Sequence, residues 1–187
     1  MSGLRTNLLI GAVAILGAAL GLLAGSQVGQ PPQRALPAGI AVLKLGDMRA
    51  DLQLDDAQGT AHRLSEWDGK LVLLNFWATW CGPCLEEMPL LSQTQARFSA
   101  NGFEVVGIAI DNADSVQDFL KHSPVRYPIL VGGDDDANPS LLFGDTRSVL
   151  PYSVLIGRDG KVVAQHAGSF SADGLARWLQ PHLALQL

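Results

Sequence analysis

Phe76-Trp77-Ala78-Thr79-Trp80-Cys81-Gly82-Pro83-Cys84 holds both cysteines of a 187-residue chain. Just upstream, Leu71–Trp77 is a continuous apolar run containing Val72, Phe76 and Trp77. That is the pattern of a central strand covered on both faces. Downstream, the sequence predicts a helix from about Gly82 to Ala100, interrupted by Pro89. The cysteines therefore fall at the seam between a buried strand and a helix start. A helix N-terminus presents unpaired N–H groups and the positive end of the dipole. A thiolate placed there is stabilised, so its pKa falls and it becomes nucleophilic near neutral pH. Cys81 stands where the helix begins. Gly82 lets the chain turn, and Pro83 suits an early helical position, where its missing N–H is not needed.

Helical geometry separates the two sulfurs. At about 100° per residue, Cys84, Met88, Leu91 and Phe98 share one stripe, which should face the sheet. Cys84 is then expected to be shielded and Cys81 to project. An accessible attacker and a shielded resolver is the division of labour that thiol–disulfide exchange requires. Cys81 would attack a substrate disulfide, and Cys84 would displace the substrate by closing the intramolecular bond. Three plainer readings compete. A purely structural disulfide would close too short a loop to gain much stability. A zinc site needs four ligands, and there is no second cysteine pair, while His62, His122, His166 and His182 lack metal spacing. The third is a pair of unreactive core cysteines.

Further out, Asp51–Asp55 and Thr60–Leu64 read as a hairpin about Ala57-Gln58-Gly59. Phe103–Ile110 reads as a second buried strand, Ser115–Lys121 as a short helix, and Ile129–Val131 as a brief strand or extended loop. Asn138–Phe143 reads as a helical turn. Tyr152–Gly157 and Lys161–His166 form an antiparallel hairpin about Arg158-Asp159-Gly160. Ala172–Leu179 is a closing helix, ended by Pro181. Strands alternating with helices and then a hairpin define an α/β fold, a mixed sheet with helices packed on its faces. Asp134-Asp135-Asp136 lacks the spaced ligands of a calcium loop and reads as a solvated surface loop.

The chain is 48% hydrophobic but only 17% charged, where soluble domains carry about 25% charged residues. The excess lies at the N-terminus. Thr6–Gln33 has no charge, and Leu8–Ala24 is wholly apolar. Those 17 residues lie between a short transmembrane helix and a long signal-peptide core. Residues 1–26 are therefore read as a signal anchor or a signal peptide cleaved near Ala24-Gly25-Ser26. Arg5 upstream favours an inside N-terminus. Residues 27–46, with Pro31, Pro32, Pro37, Gly29 and Gly39, read as a linker, and residues 47–187 as one domain. Both readings place that domain across the membrane, in an oxidising compartment if the source is bacterial. The expected location is the bacterial inner membrane, single-pass with the domain in the periplasm, or the soluble periplasm after cleavage. A net charge of −5 without a Lys/Arg cluster argues against nucleic acid binding. Two cysteines exclude a multi-disulfide scaffold.

The segment Phe76–Cys84 closely resembles the thioredoxin superfamily. Leu85-Glu86-Glu87-Met88-Pro89, and Leu150-Pro151-Tyr152-Ser153-Val154-Leu155-Ile156 followed by Arg158-Asp159-Gly160-Lys161, are similar to its membrane-tethered branch typified by TlpA, ResA and CcmG. The resemblance covers residues 47–187. It implies a thioredoxin-like sheet with an N-terminal hairpin extension, and a cis Leu150–Pro151 bond beside the disulfide. A proline at a strand start exposes the preceding backbone to strand addition by an extended substrate. An ordinary trans proline opening a strand is the alternative. The resemblance also gives Glu87 a role in exchanging protons with Cys84. Glu87 lies about 60° from the centre of the buried stripe, with Glu86 on the opposite side. A half-buried carboxyl there would have a raised pKa, although acids are favoured in any first helical turn. Thioredoxin carries a buried Asp where this chain has Asn75, which accepts no proton, so a base for Cys84 would be Glu87 or water.

Trp77 reads as core. Trp80 reads as a partly exposed wall of a substrate surface that includes Gly82, Pro83, Leu150 and Pro151. The resemblance implies thiol–disulfide oxidoreduction outside the cytoplasm with no cofactor beyond the Cys81–Cys84 disulfide. Its partners would be protein thiol or disulfide substrates and a membrane electron donor of the DsbD or CcdA type, with cytochrome c maturation as the most concrete process. Two other classes remain. A peroxiredoxin-type thiol peroxidase needs a Thr and an Arg about its cysteine, and Thr79 stands two residues before Cys81 rather than three. A copper-binding module would add a His or Met ligand, for which His166 is the candidate.

Overall fold

The computed structural model describes residues 41–133 and 138–183. The expectations for residues 1–40 and for Asp134-Asp135-Asp136 lie outside the described residues. No helix among the described residues is long and apolar enough to cross a membrane.

Seven strands form one mixed sheet: β1 (Gln53–Asp56), β2 (Ala61–Arg63), β3 (Leu71–Trp77), β4 (Phe103–Ala109), β5 (Ile129–Val131), β6 (Tyr152–Ile156) and β7 (Val162–Ala167). Their order is β2-β1-β5-β4-β3-β6-β7. The β3, β4 and β5 strands run parallel, and β6, β7 and the β1–β2 hairpin pair antiparallel. Three helices accompany them: α1 (Gly82–Phe98), α2 (Ala113–His122) and α3 (Ala172–Leu183).

Every residue of β3 is buried. Alternate side chains point to opposite faces, and each face meets its own apolar cluster. Leu71, Leu73 and Trp77 pack with Leu91 of α1, Val116 of α2 and Leu175 of α3. Val72, Leu74 and Phe76 pack with Leu64, Val106, Phe143 and Val154. The three helices thus contribute to one cluster. Among the described residues the other face is closed by irregular segments: the 3-10 turn Leu64–Trp67, the turns following Asn138, and Leu43 and Leu52. Leu43 and Gly46, at the end of the segment read as a linker, donate backbone hydrogen bonds to Leu142 and Val162.

Two prolines behave differently from the sequence expectation. Pro89 does not interrupt α1, which runs unbroken from Gly82 to Phe98. A proline inside a helix costs about 3 kcal/mol. Met88 and Leu91 beside it are buried, and burying a large apolar side chain contributes about 1.5–3 kcal/mol each, so packing prevails. Pro181 does not end α3 either. Leu175 and Leu179 anchor the helix before it, and Leu183 packs on the same core beyond it.

The sheet brings two remote segments to one end. The antiparallel register Phe76↔Tyr152 sets the exit of β3 beside the entry of β6. Trp77 therefore leads towards Cys81 at the edge where Pro151 precedes Tyr152. Asp111, two residues beyond β4, fixes the intervening loop. Its buried carboxylate accepts from the Thr79 backbone N–H at 3.1 Å, from the Thr79 hydroxyl, and from the Asn112 backbone N–H at 2.8 Å. Asn112 in turn caps α2 by accepting from the Ser115 N–H. Asp111→Ala leaves the Thr79 donors unmatched, a loss of about 1–3 kcal/mol. The expected outcome is a lower urea midpoint together with faster amide exchange at Thr79 and Trp80. Unchanged exchange there would show that the carboxylate does not hold the loop.

Candidate active site

Cys81 is the N-cap of α1, with extended backbone dihedrals of −89° and 94°. Its carbonyl accepts from the Cys84 and Leu85 N–H groups at 3.0 and 3.1 Å, which starts the helix. Pro83 lies in the first helical turn. Cys81 and Cys84 are joined as a disulfide with 5.3 Å between their Cα atoms. Cys84 lies on the buried stripe with Met88 and Leu91, while Phe98 is half-buried at the far end. Cys84 is 1% exposed and Cys81 6%. The order of accessibility is the expected one, but Cys81 does not project in the oxidised pair. A covalent bond to a buried sulfur draws it inward, and it packs in the cluster that holds Trp77 and Ala78.

The surroundings are more open. Trp80 is 72% exposed, well beyond a partly exposed wall. Gly82 and Pro83 are also exposed. Trp77 is fully buried, its ring 5.3 Å from that of Phe119. The Leu150–Pro151 bond is cis, as the resemblance implies. Pro151 is buried, and Leu150 packs against the cluster containing both cysteines. The Pro151 carbonyl accepts from the Gly168 N–H at 2.8 Å. Asp145, buried ahead of it, accepts from the Val149 N–H at 2.9 Å and from the Ser140 hydroxyl at 3.2 Å. Burial raises the Asp145 pKa.

Glu87 is 3% exposed, so the half-buried position expected from the helical count understates its burial. Neither carboxyl oxygen has a hydrogen-bond partner. Desolvation pushes its pKa up to about 7 from an ordinary 4.5. The Phe170 backbone N–H opposes that rise, from outside hydrogen-bonding geometry. Asn75 is buried and donates to the Ser153 hydroxyl at 3.1 Å, a link between β3 and β6. His166 stacks on Phe170 with ring centroids 3.9 Å apart.

Two residues escape the sequence. Asp111 is legible only as an acid closing a buried strand, a common surface pattern. Tyr127 enters the cluster of the cysteines from the segment before β5, and its hydroxyl is buried without a partner. Burial and the Glu87 charge raise its pKa further above the usual phenol range. No local pattern marks that convergence.

The geometry has counterparts among known proteins. The Redoxin family profile matches residues 37–177. A thiol-disulfide oxidoreductase ResA of Bacillus cereus is 30% identical over 139 residues, covering 74% of this chain and 78% of the relative. ResA of Bacillus subtilis (strain 168) is 32% identical over 138 residues, covering 73% and 75%. A Chlorobium tepidum crystal structure assigned as thiol:disulfide interchange protein DsbE superposes with a TM-score of 0.67 at 35% identity, over 75% of this chain and 99% of the other. These relatives favour neither the peroxidase nor the copper-binding alternative. The chain belongs to the Redoxin family, in the ResA- and CcmG-like part of the thioredoxin superfamily, and is a thiol–disulfide oxidoreductase.

Proposed function

We propose that this protein reduces protein disulfides outside the cytoplasm, with Cys81 as attacker, Cys84 as resolver and Glu87 as the group that exchanges a proton with Cys84. The observation that carries this reading is the pair's position: one sulfur at a helix start, the other beneath it, and one turn further on a buried carboxyl pushed up to about 7. The Cys81 thiolate attacks a substrate disulfide, forms a mixed disulfide and releases the first substrate sulfur as a thiolate. The Cys84 thiol gives its proton to the Glu87 carboxylate, and its sulfur attacks the Cys81 sulfur. The second substrate sulfur leaves as a thiolate and takes a proton. Two electrons pass from the cysteine pair to the substrate, and the pair closes as a disulfide. An external dithiol reopens it by the reverse steps, and Glu87 returns its proton to Cys84 as that sulfur leaves.

Trp80, Gly82 and Pro83 supply the exposed contact surface, and Leu150-Pro151 the edge for an extended substrate segment. In favour of that role, the Leu150 N–H bonds to no described residue. A reductant in an oxidising compartment needs a source of electrons. Residues 1–26 would tether the domain near a membrane electron donor of the DsbD or CcdA type. The haem-attachment cysteines of apocytochrome c are the substrates that the likeness to ResA and DsbE favours, and the process served is then cytochrome c maturation. The disulfide itself is the redox group.

Cys84→Ala is expected to accumulate mixed disulfides through Cys81, identified by mass spectrometry. Equal trapping by Cys81→Ala would reverse the two roles. The rate at which Cys84 resolves a mixed disulfide is expected to rise with pH through about 7, and Glu87→Gln removes that break. Stability should follow the same group with the opposite sign. The folded-state pKa lies above the unfolded one, so stability from neutral Glu87 is complete below about 4.5 and is lost as pH rises through about 7. Urea midpoints of the wild type should therefore fall between pH 4.5 and 8 relative to those of Glu87→Gln.

A further inference from the structure

Asp145 is a buried acid, 3% exposed, for which the exchange of electrons has no use. It lies in the irregular segment between β5 and β6, where no strand or helix sets the backbone. Its own bonds set it instead. The Asp145 N–H donates to the Ser140 carbonyl at 3.0 Å, and its carbonyl accepts from the Ser148 N–H at 3.2 Å. One carboxyl oxygen accepts from the Val149 N–H at 2.9 Å, the other from the Ser140 hydroxyl at 3.2 Å. Ser148 has a φ of 51° and is the only non-glycine residue with a positive φ among the described residues. Such a conformation is uncommon for serine and persists only where its surroundings hold it. Both N–H groups that flank the Ser148 Cα go to Asp145. The preceding turn is pinned to the core. Phe143 is fully buried with its ring 5.7 Å from that of Phe76, and its carbonyl accepts from the Gln165 side chain at 2.7 Å and the Tyr152 hydroxyl at 3.3 Å.

We propose that Asp145 is a positioning residue for the substrate: by taking the Val149 N–H, its carboxylate fixes the backbone so that the next N–H, that of Leu150, is held ready for a carbonyl of the peptide segment that carries the attacked disulfide. The inference rests on Leu150-Pro151 being the substrate edge, as proposed above. The constraints converge on this one donor. The Val149 N–H is committed to Asp145. The Leu150 side chain packs against both apolar clusters. Pro151 has no N–H of its own, and its carbonyl is taken by the Gly168 N–H at 2.8 Å. The Leu150 N–H is thus the last donor before β6, and no described residue engages it. A donor already held in its bound orientation spares the complex the entropy of ordering it. A carboxylate suits this task because both of its oxygens accept. One grips the edge while the other is anchored to Ser140, which is fully buried. Asp145 takes no part in the transfer of electrons and acts through the Val149 and Leu150 backbone.

The test compares two substrates on the reduced full chain in single turnover. One is a short extended peptide whose single cysteine is disulfide-bonded to cysteamine. The other is cystamine, which offers a like disulfide without a peptide backbone. Oxidation of the Cys81–Cys84 pair is read by mass after alkylation, as a function of substrate concentration. The wild type should half-saturate at a lower concentration of peptide than of cystamine. Asp145→Ala is expected to raise the half-saturating concentration of the peptide about tenfold, the equivalent of ordering one backbone residue on binding rather than on folding. Its limiting rate and its reaction with cystamine should change little. Asp145→Asn keeps an acceptor oxygen for the Val149 N–H and an amide for the Ser140 hydroxyl, so it should retain the wild-type values. If the wild type treats both substrates alike, the substrate-edge reading falls, and Asp145 with it. If the wild type prefers the peptide and Asp145→Ala keeps that preference, or slows both substrates equally, the Asp145 inference alone is overturned. Should Asp145→Ala not fold, amide exchange of the wild type decides. Slow exchange at Val149 beside fast exchange at Leu150 supports the inference, and fast exchange at Val149 overturns it.

Discussion

No residue of β3 faces solvent, and this dictates how the redox pair is presented. A strand covered on both faces has a fixed direction and a fixed end. Its last side chain, Trp77, is locked between β4 and α2, and the chain emerges three residues before Cys81. Asp111 then holds Thr79, so the turn into α1 has little freedom. The helix starts at Cys81 because the strand ends where it does. Its sheet-facing stripe puts Cys84 underneath because the core requires Met88 and Leu91 there.

Two electrostatic effects then oppose each other at the sulfurs. The helix start favours a thiolate at Cys81, by about 0.3–1 kcal/mol at an exposed site and up to about 2 where partly buried. An ionised Glu87 disfavours negative charge nearby. Lifting a carboxyl from 4.5 to about 7 means that its charged form is disfavoured by about 3 kcal/mol, at about 1.4 kcal/mol per unit. Below neutrality Glu87 is therefore largely uncharged, and the dipole acts on Cys81 unopposed. Near neutrality the carboxyl takes on charge, one turn from Cys84.

Much of this was legible in the sequence, for identifiable reasons. Leu71–Trp77 matches β3 residue for residue because a two-sided core leaves an apolar run, broken only by Asn75, whose amide bonds to Ser153 of β6. The Arg158-Asp159-Gly160 turn fixed the β6–β7 hairpin through Gly160, which adopts a positive φ of 78°. The spacing of Cys84 and Glu87 placed both on or beside the stripe. Other features depend on tertiary contacts that no local pattern records. Pro89 and Pro181 are tolerated because neighbouring side chains are buried. Cys81 is covered because its partner sulfur is. The second sheet face is closed by loops without periodicity. Tyr127 joins the cluster of the cysteines from the unpatterned stretch after α2.

The contrast between Trp80 and the sulfur beside it bears on how a substrate is recognised. A tryptophan 72% exposed next to a cysteine 6% exposed offers apolar surface around an almost closed reactive point. A small thiol gains little from that surface. If, as proposed, a protein segment lies across Trp80 and Pro83, it buries that surface at roughly 25 cal/mol per Å² of apolar area, and the Leu150 N–H, which no described residue engages, is open to its backbone. On the proposed function, contact area rather than sulfur exposure would then select which disulfides reach Cys81.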